Sequence, residues 1–386
     1  MDHSFRSELT FSKSCLQSKS LFFGLVVVFL LFLNCSVNAQ ILRDTSQIRK
    51  ARECMQHIYN YQFREAEEIC QQIGDDFPDS PVPPLIRGMI IYWKNFPLLP
   101  SSPERDPYES ELKLSISLSE KNSPQPADEA EYLLADLCAR GLLLVFYSDN
   151  DLSSEVIPLA AGTYHLLRES FKYTSVYPDF CFFTGLYNYY RERYPELHPA
   201  YKAFALLFPA GDANKGLAEL QKAACEGIVL DAEAGSFMSW IYSGYEFDYD
   251  KSLIYSRNLY EKYPGNSSYL ANYIKFLLLV KQYDEAEELI SSEGSRMNNA
   301  FFNAQIKVFN GILREKKYRD MSAASECYRE GLNALVPFGD FGNEYSAYAC
   351  YGLSRVFAAD KTGDLKRRFR KEANRLAEFR HMNFEK

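Results

Sequence analysis

The strongest constraint on the fold is a pattern of side-chain size that recurs about every 34 residues. In each copy a small residue is followed by a larger one four positions later, and by a third residue three positions after that. The copies are Gly216, Leu220 and Ala223; Ser252, Ser256 and Leu259; Ala286, Ile290 and Glu293; and Ala324, Tyr328 and Gly331. Their first residues lie 36, 34 and 38 positions apart. Repeats of this length are typical of stacked helix pairs, which serve binding more often than chemistry.

The spacing within each copy has a physical reason. Residues i, i+4 and i+7 share one face of a helix, and a small first residue lets a neighbouring helix approach closely. An earlier copy begins at Ala66 and reaches a proline, Pro78, after twelve residues, as Ser252 does at Pro264. Because proline cannot continue a helix, both prolines mark helix ends. The chain is therefore predicted to be all-α, because its sequence pattern has the periodicity of a helix, not that of a strand, over almost its whole length.

One copy carries a more specific signature. Residues 283–290 read YDEAEELI, with an aromatic residue at the turn, acidic residues in the first helical turn, and then the small residue. Acidic groups at this place complement the helix dipole. The unit resembles the second helix of a tetratricopeptide repeat (TPR). The resemblance implies a TPR-like α-α superhelix, a right-handed solenoid of helix pairs; an unrelated all-helical bundle is the alternative.

A longer stretch supports the same resemblance. The order GLYNYY at 185–190, FPAGDANKGLAELQKAACEG at 208–227, and then TPR units resembles a group of secreted bacterial TPR proteins. That group is distantly similar to a eukaryotic TPR family linked to lipid droplets and inclusion-body clearance. The resemblance spans about 50–340. It implies a helical scaffold with no established reaction and does not identify a partner.

The N-terminus has the composition of an export signal. Three basic residues precede an almost uninterrupted apolar run of thirteen residues, Leu21 to Leu33, and a small-residue site ends at Ala39. This order predicts a signal peptide at 1–39, and hence an exported protein, periplasmic or associated with the outer membrane of a bacterium. The run is shorter than the about 20 residues of a membrane span. An uncleaved anchor and a lipid-modified Cys35 are the alternatives.

Removal of 1–39 would leave 40 basic and 49 acidic residues, a formal charge of −9. An acidic, well-mixed surface argues against nucleic acid as a partner. Residues 40–386 are predicted to form a single solenoid, with an irregular proline-rich part at 74–128 and the most regular repeats at 200–340. Helix breaks are expected at Pro178, Pro195 and Pro199, and a basic helix near 364–380 should end the stack.

Motifs that would indicate catalysis or a cofactor are missing from the sequence. The seven cysteines after residue 39 include no C-x-x-C, and the histidines have no metal-ligand spacing. The stretch 211–216 is only superficially a phosphate loop, since its lysine precedes the second glycine. We therefore predict no enzymatic activity, no metal and no cofactor, with an enzyme of unrecognised site as an alternative. A disulfide between Cys54 and Cys70 is left open, because their positions face each other across the first helix pair.

The leading hypothesis for function is a non-catalytic scaffold that binds a protein or peptide on its concave surface, with peripheral outer-membrane association. The candidate groove residues are Phe237, Ile241, Tyr245, Lys275 and Leu278. The first three share one helix face; the alternative for them is burial under a C-terminal helix or the 97–126 loop.

The rival hypothesis is a carbohydrate-binding envelope protein that uses aromatic side chains as platforms. Clustered exposed rings at Tyr92, Trp93 or Tyr187–Tyr190 would favour it.

Overall fold

The structure, a computed structural model, describes residues 45–121, 129–294, 296–359 and 363–385. They belong to a unit that spans Gln40–Lys386. The predicted signal peptide at 1–39, its cleavage site and the alternative role of Cys35 lie outside the described residues.

The described regular elements are all helical. They are α1 Thr45–Tyr59, α2 Phe63–Asp76, α3 Val82–Lys94, α4 Arg105–Lys121, α5 Glu129–Asp149, α6 Ser153–Ser170, α7 Phe180–Leu197, α8 Lys202–Ala205, α9 Ala213–Glu226, α10 Asp231–Gly244, α11 Tyr249–Lys262, α12 Ser267–Leu279, α13 Tyr283–Glu293, α14 Ala300–Lys316, α15 Met321–Leu335, α16 Asn343–Val356 and α17 Asp364–Leu376. Short 3₁₀ turns lie at Pro199–Tyr201, Val336–Gly342 and Phe357–Ala359. Helices adjacent in sequence pack as pairs, from α1/α2 to α16/α17. This arrangement confirms the predicted all-α class and is consistent with a solenoid.

Helix starts in the regular region are set by local side chains. The residue before α9, α11, α12, α14 or α15 is in each case an Asp or Asn whose side chain accepts a hydrogen bond from a backbone N–H of the first turn: Asp212, Asp248, Asn266, Asn299 and Asp320. Such caps satisfy N–H groups that have no partner within the helix. The boundaries of these helices are therefore encoded locally.

The turns inside the helix pairs share one backbone conformation. Five residues with φ between 52° and 65° each lie two positions before the second helix of a pair: Tyr61, Asp151, Phe247, Lys281 and Arg319. A left-handed residue at a helix end lets following N–H groups bond back to the last carbonyls; Gln282 N–H, for example, donates to Leu277 O at 2.8 Å. The repeat is thus visible in the backbone as well as in side-chain size.

The small residues of the repeat lie where helices approach most closely. A Cβ on Gly216 of α9 would sit 2.8 Å from the carbonyl oxygen of Gly185 on α7. Between α10 and α11, Ser239 Oγ donates to Ser252 O at 3.0 Å and Ser252 Oγ donates to Ser239 O at 2.9 Å. Ala286 is fully buried. The predicted packing register is confirmed at these positions.

A buried carboxylate fixes the start of α10. Asp179, just before α7, accepts hydrogen bonds from the backbone N–H groups of Ile228, Val229 and Leu230 at 2.9–3.0 Å. These groups precede the first turn of α10 and would otherwise be unsatisfied. Asp179 thereby positions the first turn of α10 against α7.

The first helix pair also packs against a segment far along the chain. Asn266 Nδ2 donates to the carbonyl oxygen of Tyr59 at 3.1 Å, across 207 positions. The Tyr59 ring lies 5.2 Å from that of Tyr263, and a Cβ on Gly265 would be 2.4 Å from Asn60 O. A pure repeat array would bring together only neighbouring repeats. Here large aromatic side chains join the first pair to the α11–α12 corner.

One local expectation about proline is wrong. Helix α7 continues through Pro195 to Leu197, because a proline in the last turn removes only one late hydrogen bond. The proline-rich part at 74–128 contains two helices, α3 and α4. Pro83 and Pro84 fit there because they occupy the first turn of α3, whose N–H groups have no helical acceptor.

Candidate functional site

The C-terminal segment after α17 covers the face of α10 that was expected to be a groove. The Phe379 ring lies 5.1 Å from that of Trp240 and 5.5 Å from that of Tyr245. A Cβ on Gly244 would come within 2.4 Å of the Phe379 ring. The absence of a side chain at Gly244 therefore leaves the space that the ring occupies. His381 Nε2 lies 2.9 Å from the Ser243 carbonyl oxygen.

The five candidate groove residues are consequently not an accessible surface. Ile241 and Leu278 are buried, Tyr245 is half-buried beneath Phe379, and Lys275 is buried with its Nζ 3.2 Å from Glu344 Oε1. The expectation that these side chains face solvent is wrong. For Tyr245 the reason is the alternative stated from the sequence, a C-terminal segment that folds over it. Lys275 instead pairs with Glu344 of α16. Phe237 differs from the others, since it lines an internal cavity.

This cavity lies among six helices and is partly open to solvent at Val145. Its volume is about 450 Å³, within the range of about 300–1,000 Å³ typical of small-molecule sites. Its wall comes from α1, α3, α5, α6, α7 and the start of α10. Representative lining side chains are Met55, Leu85, Leu134, Leu167, Phe183 and Phe237. The surface they present is almost entirely apolar.

Helix α5 runs beside the cavity and is apolar on nearly all of its faces. The run from Leu133 to Ala139 is buried throughout. Its small residues Ala135 and Gly141 line the cavity, as does Ala51 of α1. Larger side chains at these places would fill the space. The cavity therefore follows from small residues on the inner side of otherwise bulky helices.

Two carboxyl groups interrupt the apolar wall. Glu233, in the first turn of α10, accepts a hydrogen bond from the Tyr59 hydroxyl at its Oε1 atom. Its Oε2 atom is buried and has no hydrogen-bond partner among the described residues. Burial raises the pKa of Glu233 to about 7, partly offset by the bond from Tyr59. Glu131 of α5, also buried, lines the same cavity.

The arrangement can therefore enclose an apolar molecule and offer one polar anchor. A carboxyl group with a pKa near neutrality accepts a hydrogen bond when ionised and can donate one when protonated. In the described ranges no group of three or more His, Cys, Asp or Glu side chains could hold a metal ion. Among the helices of these ranges, none combines the length and the hydropathy that a membrane span requires.

The structure also bears on two open points from the sequence. Cys54 and Cys70 are free thiols: Cys54 Sγ donates to Ala66 O and Cys70 Sγ to Pro83 O. No disulfide joins them.

The aromatic side chains considered for carbohydrate binding differ in exposure. Tyr92 and Tyr189 are buried, whereas Tyr187 and Tyr190 are half-buried. The Trp93 ring is half-buried, 5.7 Å from the ring of Tyr59 and 5.8 Å from that of Tyr269.

Sequence reasoning missed this cavity because its wall is assembled from six helices that lie far apart in the chain. One signal was available. Glu131 is followed directly by Tyr132, Leu133 and Leu134, and Glu233 lies between Ala232 and Ala234. Because a carboxyl group in such apolar surroundings is costly to bury, its presence indicates a position where a ligand could bind.

Comparisons with known proteins do not assign a family. No protein-family profile matches the sequence, and no curated protein matches it significantly. The class of protein is therefore defined by its fold and site: an all-α protein of packed helix pairs that encloses an apolar cavity with a carboxyl anchor.

Proposed function

We propose that this protein is an exported, non-catalytic binding protein with a TPR-like superhelix, and that its ligand is an apolar small molecule held inside the helix pairs. The observation that carries the proposal is the cavity of about 450 Å³ with an almost wholly apolar wall. Placement in the periplasm or at the outer membrane rests on the N-terminal sequence pattern alone.

An energetic argument supports a filled cavity. Apolar side chains that stay in contact with water lack the stabilisation that burial gives, about 25 cal/mol per Å² of surface. The lining of this cavity is almost wholly apolar and is partly open to solvent, as the exposed side chain of Val145 shows. A bound apolar ligand would remove that surface from water.

Helix α6 forms the outer wall of the cavity and is the least buried of the helices that line it. In α6 only Ser170 is buried, and Ile157 is 71% exposed. The helix packs mainly on α5, yet Thr163 and Leu167 line the cavity. Displacement of α6 is therefore the easiest route by which a ligand would reach the interior.

The test measures binding of the apolar fluorophore N-phenyl-1-naphthylamine to the purified protein. The fluorophore should bind and brighten. Thr163→Phe, which places a ring in the cavity, should weaken binding at least about tenfold, the equivalent of about 1.4 kcal/mol. Ala161→Phe is the matched control, because Ala161 is exposed on the same helix. Absence of binding, or equal affinity of both variants and wild type, would refute the cavity as the site.

A protein partner is the second candidate, favoured by one exposed apolar segment. Leu206 and Leu207 are 81% and 75% exposed, and Tyr201 nearby is 50% exposed. Clustered exposed apolar side chains mark interaction sites more often than scattered ones do. Replacing both leucines with serine should abolish cross-linking to a specific envelope protein, whereas Val336→Ser, an equally exposed but distant control, should not. The same cross-links in all three proteins would exclude this segment.

A further inference from the structure

We infer that the cavity selects an amphiphile whose head group donates a hydrogen bond, a hydroxyl or a protonated amine, and rejects the same chain with a carboxylate head. Glu233 is the residue that distinguishes them. The inference rests on the proposed function, because it names the ligand class for the same cavity.

The first observation is an asymmetry in the hydrogen bonds of Glu233. Its Oε1 atom accepts from the Tyr59 hydroxyl, while its buried Oε2 atom has no partner within the described part of the chain. Buried polar atoms in native structures are nearly always satisfied, and leaving one unsatisfied is costly. Glu233 lines an otherwise apolar cavity. Because Oε2 has almost no accessible surface in this conformation, a donor on the ligand would become its partner after rotation of the carboxyl group toward the cavity.

The second observation is the sign of the surrounding charge. Glu131 lies in the same wall. The groups that face Glu233 from the packed elements are Tyr59 of α1, Cys138 of α5, Asp179 before α7, Asp231 of α10, Tyr263 after α11 and Tyr269 of α12. Asp231 is itself paired with Lys262. A carboxylate ligand would bring another negative charge into this poorly solvated, acidic corner, where like charges repel strongly.

Ionisation of Glu233 gives the selectivity a pH dependence. Burial raises the pKa of this carboxyl to about 7. Above that pH the ionised group only accepts hydrogen bonds, so discrimination in favour of donors is greatest. Below it the protonated group can donate, and discrimination against acceptor head groups should weaken.

The experiment is displacement of N-phenyl-1-naphthylamine at pH 8.5 by dodecan-1-ol, by its methyl ether and by dodecanoate. The alcohol should displace the fluorophore at a concentration at least about tenfold lower than either of the others, because only the alcohol can donate a hydrogen bond to the ionised carboxyl. In Glu233→Gln the advantage over dodecanoate should shrink about tenfold. Glu288→Gln, an exposed carboxyl on α13, should behave as wild type.

The outcomes separate this inference from the proposed function. If the fluorophore binds and is sensitive to Thr163→Phe, but the three compounds displace it equally or dodecanoate is the tightest, the head-group inference is overturned and the cavity function stands. If the fluorophore does not bind, or Thr163→Phe leaves its affinity unchanged, both fail. The comparison of compounds on wild-type protein decides the question even if Glu233→Gln does not fold.

Discussion

The substitution Glu233→Gln should change the stability of the protein in a pH-dependent way. The pKa of Glu233 is raised from 4.5 to about 7 by burial. Between these values the unfolded chain has lost the proton and the folded protein retains it, so stability falls as pH rises. A difference of about 2.5 pKa units, at about 1.36 kcal/mol each, lowers the free energy of unfolding of the wild-type protein by about 3 kcal/mol above pH 7.

Glutamine cannot ionise and therefore escapes that cost. Its side-chain carbonyl can still accept the hydrogen bond from Tyr59. At pH 5 the variant and wild type should have nearly equal free energies of unfolding. At pH 8.5 the variant should be more stable by up to about 3 kcal/mol. Burial also raises the pKa of Glu378 to about 7 and that of Asp149 to about 6, but both are present in the two proteins and cancel in the difference.

The assay is urea unfolding followed by circular dichroism at pH 5, 6, 7 and 8.5, without added amphiphile. Glu288→Gln serves as the control, since Glu288 is exposed and the substitution should leave the pH profile of wild type unchanged. A Glu233→Gln difference that is constant across this range would refute the reasoning. It would mean that the carboxyl titrates alike in the folded and unfolded states.

Other positions give independent tests of the fold and of export. Ala286→Leu should overpack a fully buried site and cost about 1–3 kcal/mol in thermal unfolding; an unchanged melting temperature would contradict the packing register. Gly216→Ala should also lower the melting temperature, since its Cβ would lie 2.6 Å from a backbone nitrogen of α7, and neutral behaviour would mean that α7 and α9 are further apart. Arg355→Leu should cost about 1–3 kcal/mol in urea unfolding, because it removes the guanidinium 2.6 Å from buried Glu315 and leaves that carboxyl with only Tyr328 and Lys316 as partners; an unchanged midpoint would contradict the contact. Mass spectrometry of the exported protein should find an N-terminus generated by cleavage after Ala39, and recovery of 1–39 would support an anchor.

The sequence was sufficient for the features that depend on neighbouring residues. The small-residue register at Gly216, Ser252 and Ala286 follows from helical periodicity, which dictates the face that must pack. The Asp and Asn residues that precede five helices satisfy the first-turn N–H groups directly. These effects act within one turn of a helix or across one helix pair, so they can be read without knowledge of the remaining chain.

The tertiary structure alone decided which packed faces stay accessible and where space remains. Phe379 covers Tyr245 although more than a hundred positions separate them, and no local pattern around Ile241 signals that cover. The cavity needs six helices to enclose it, and Glu233 meets Tyr59 only because the first pair packs beside α10. Helical periodicity identifies an apolar face but not its partner, since apolar burial is non-directional and stabilises any close fit. The position of the site was therefore set by long-range packing.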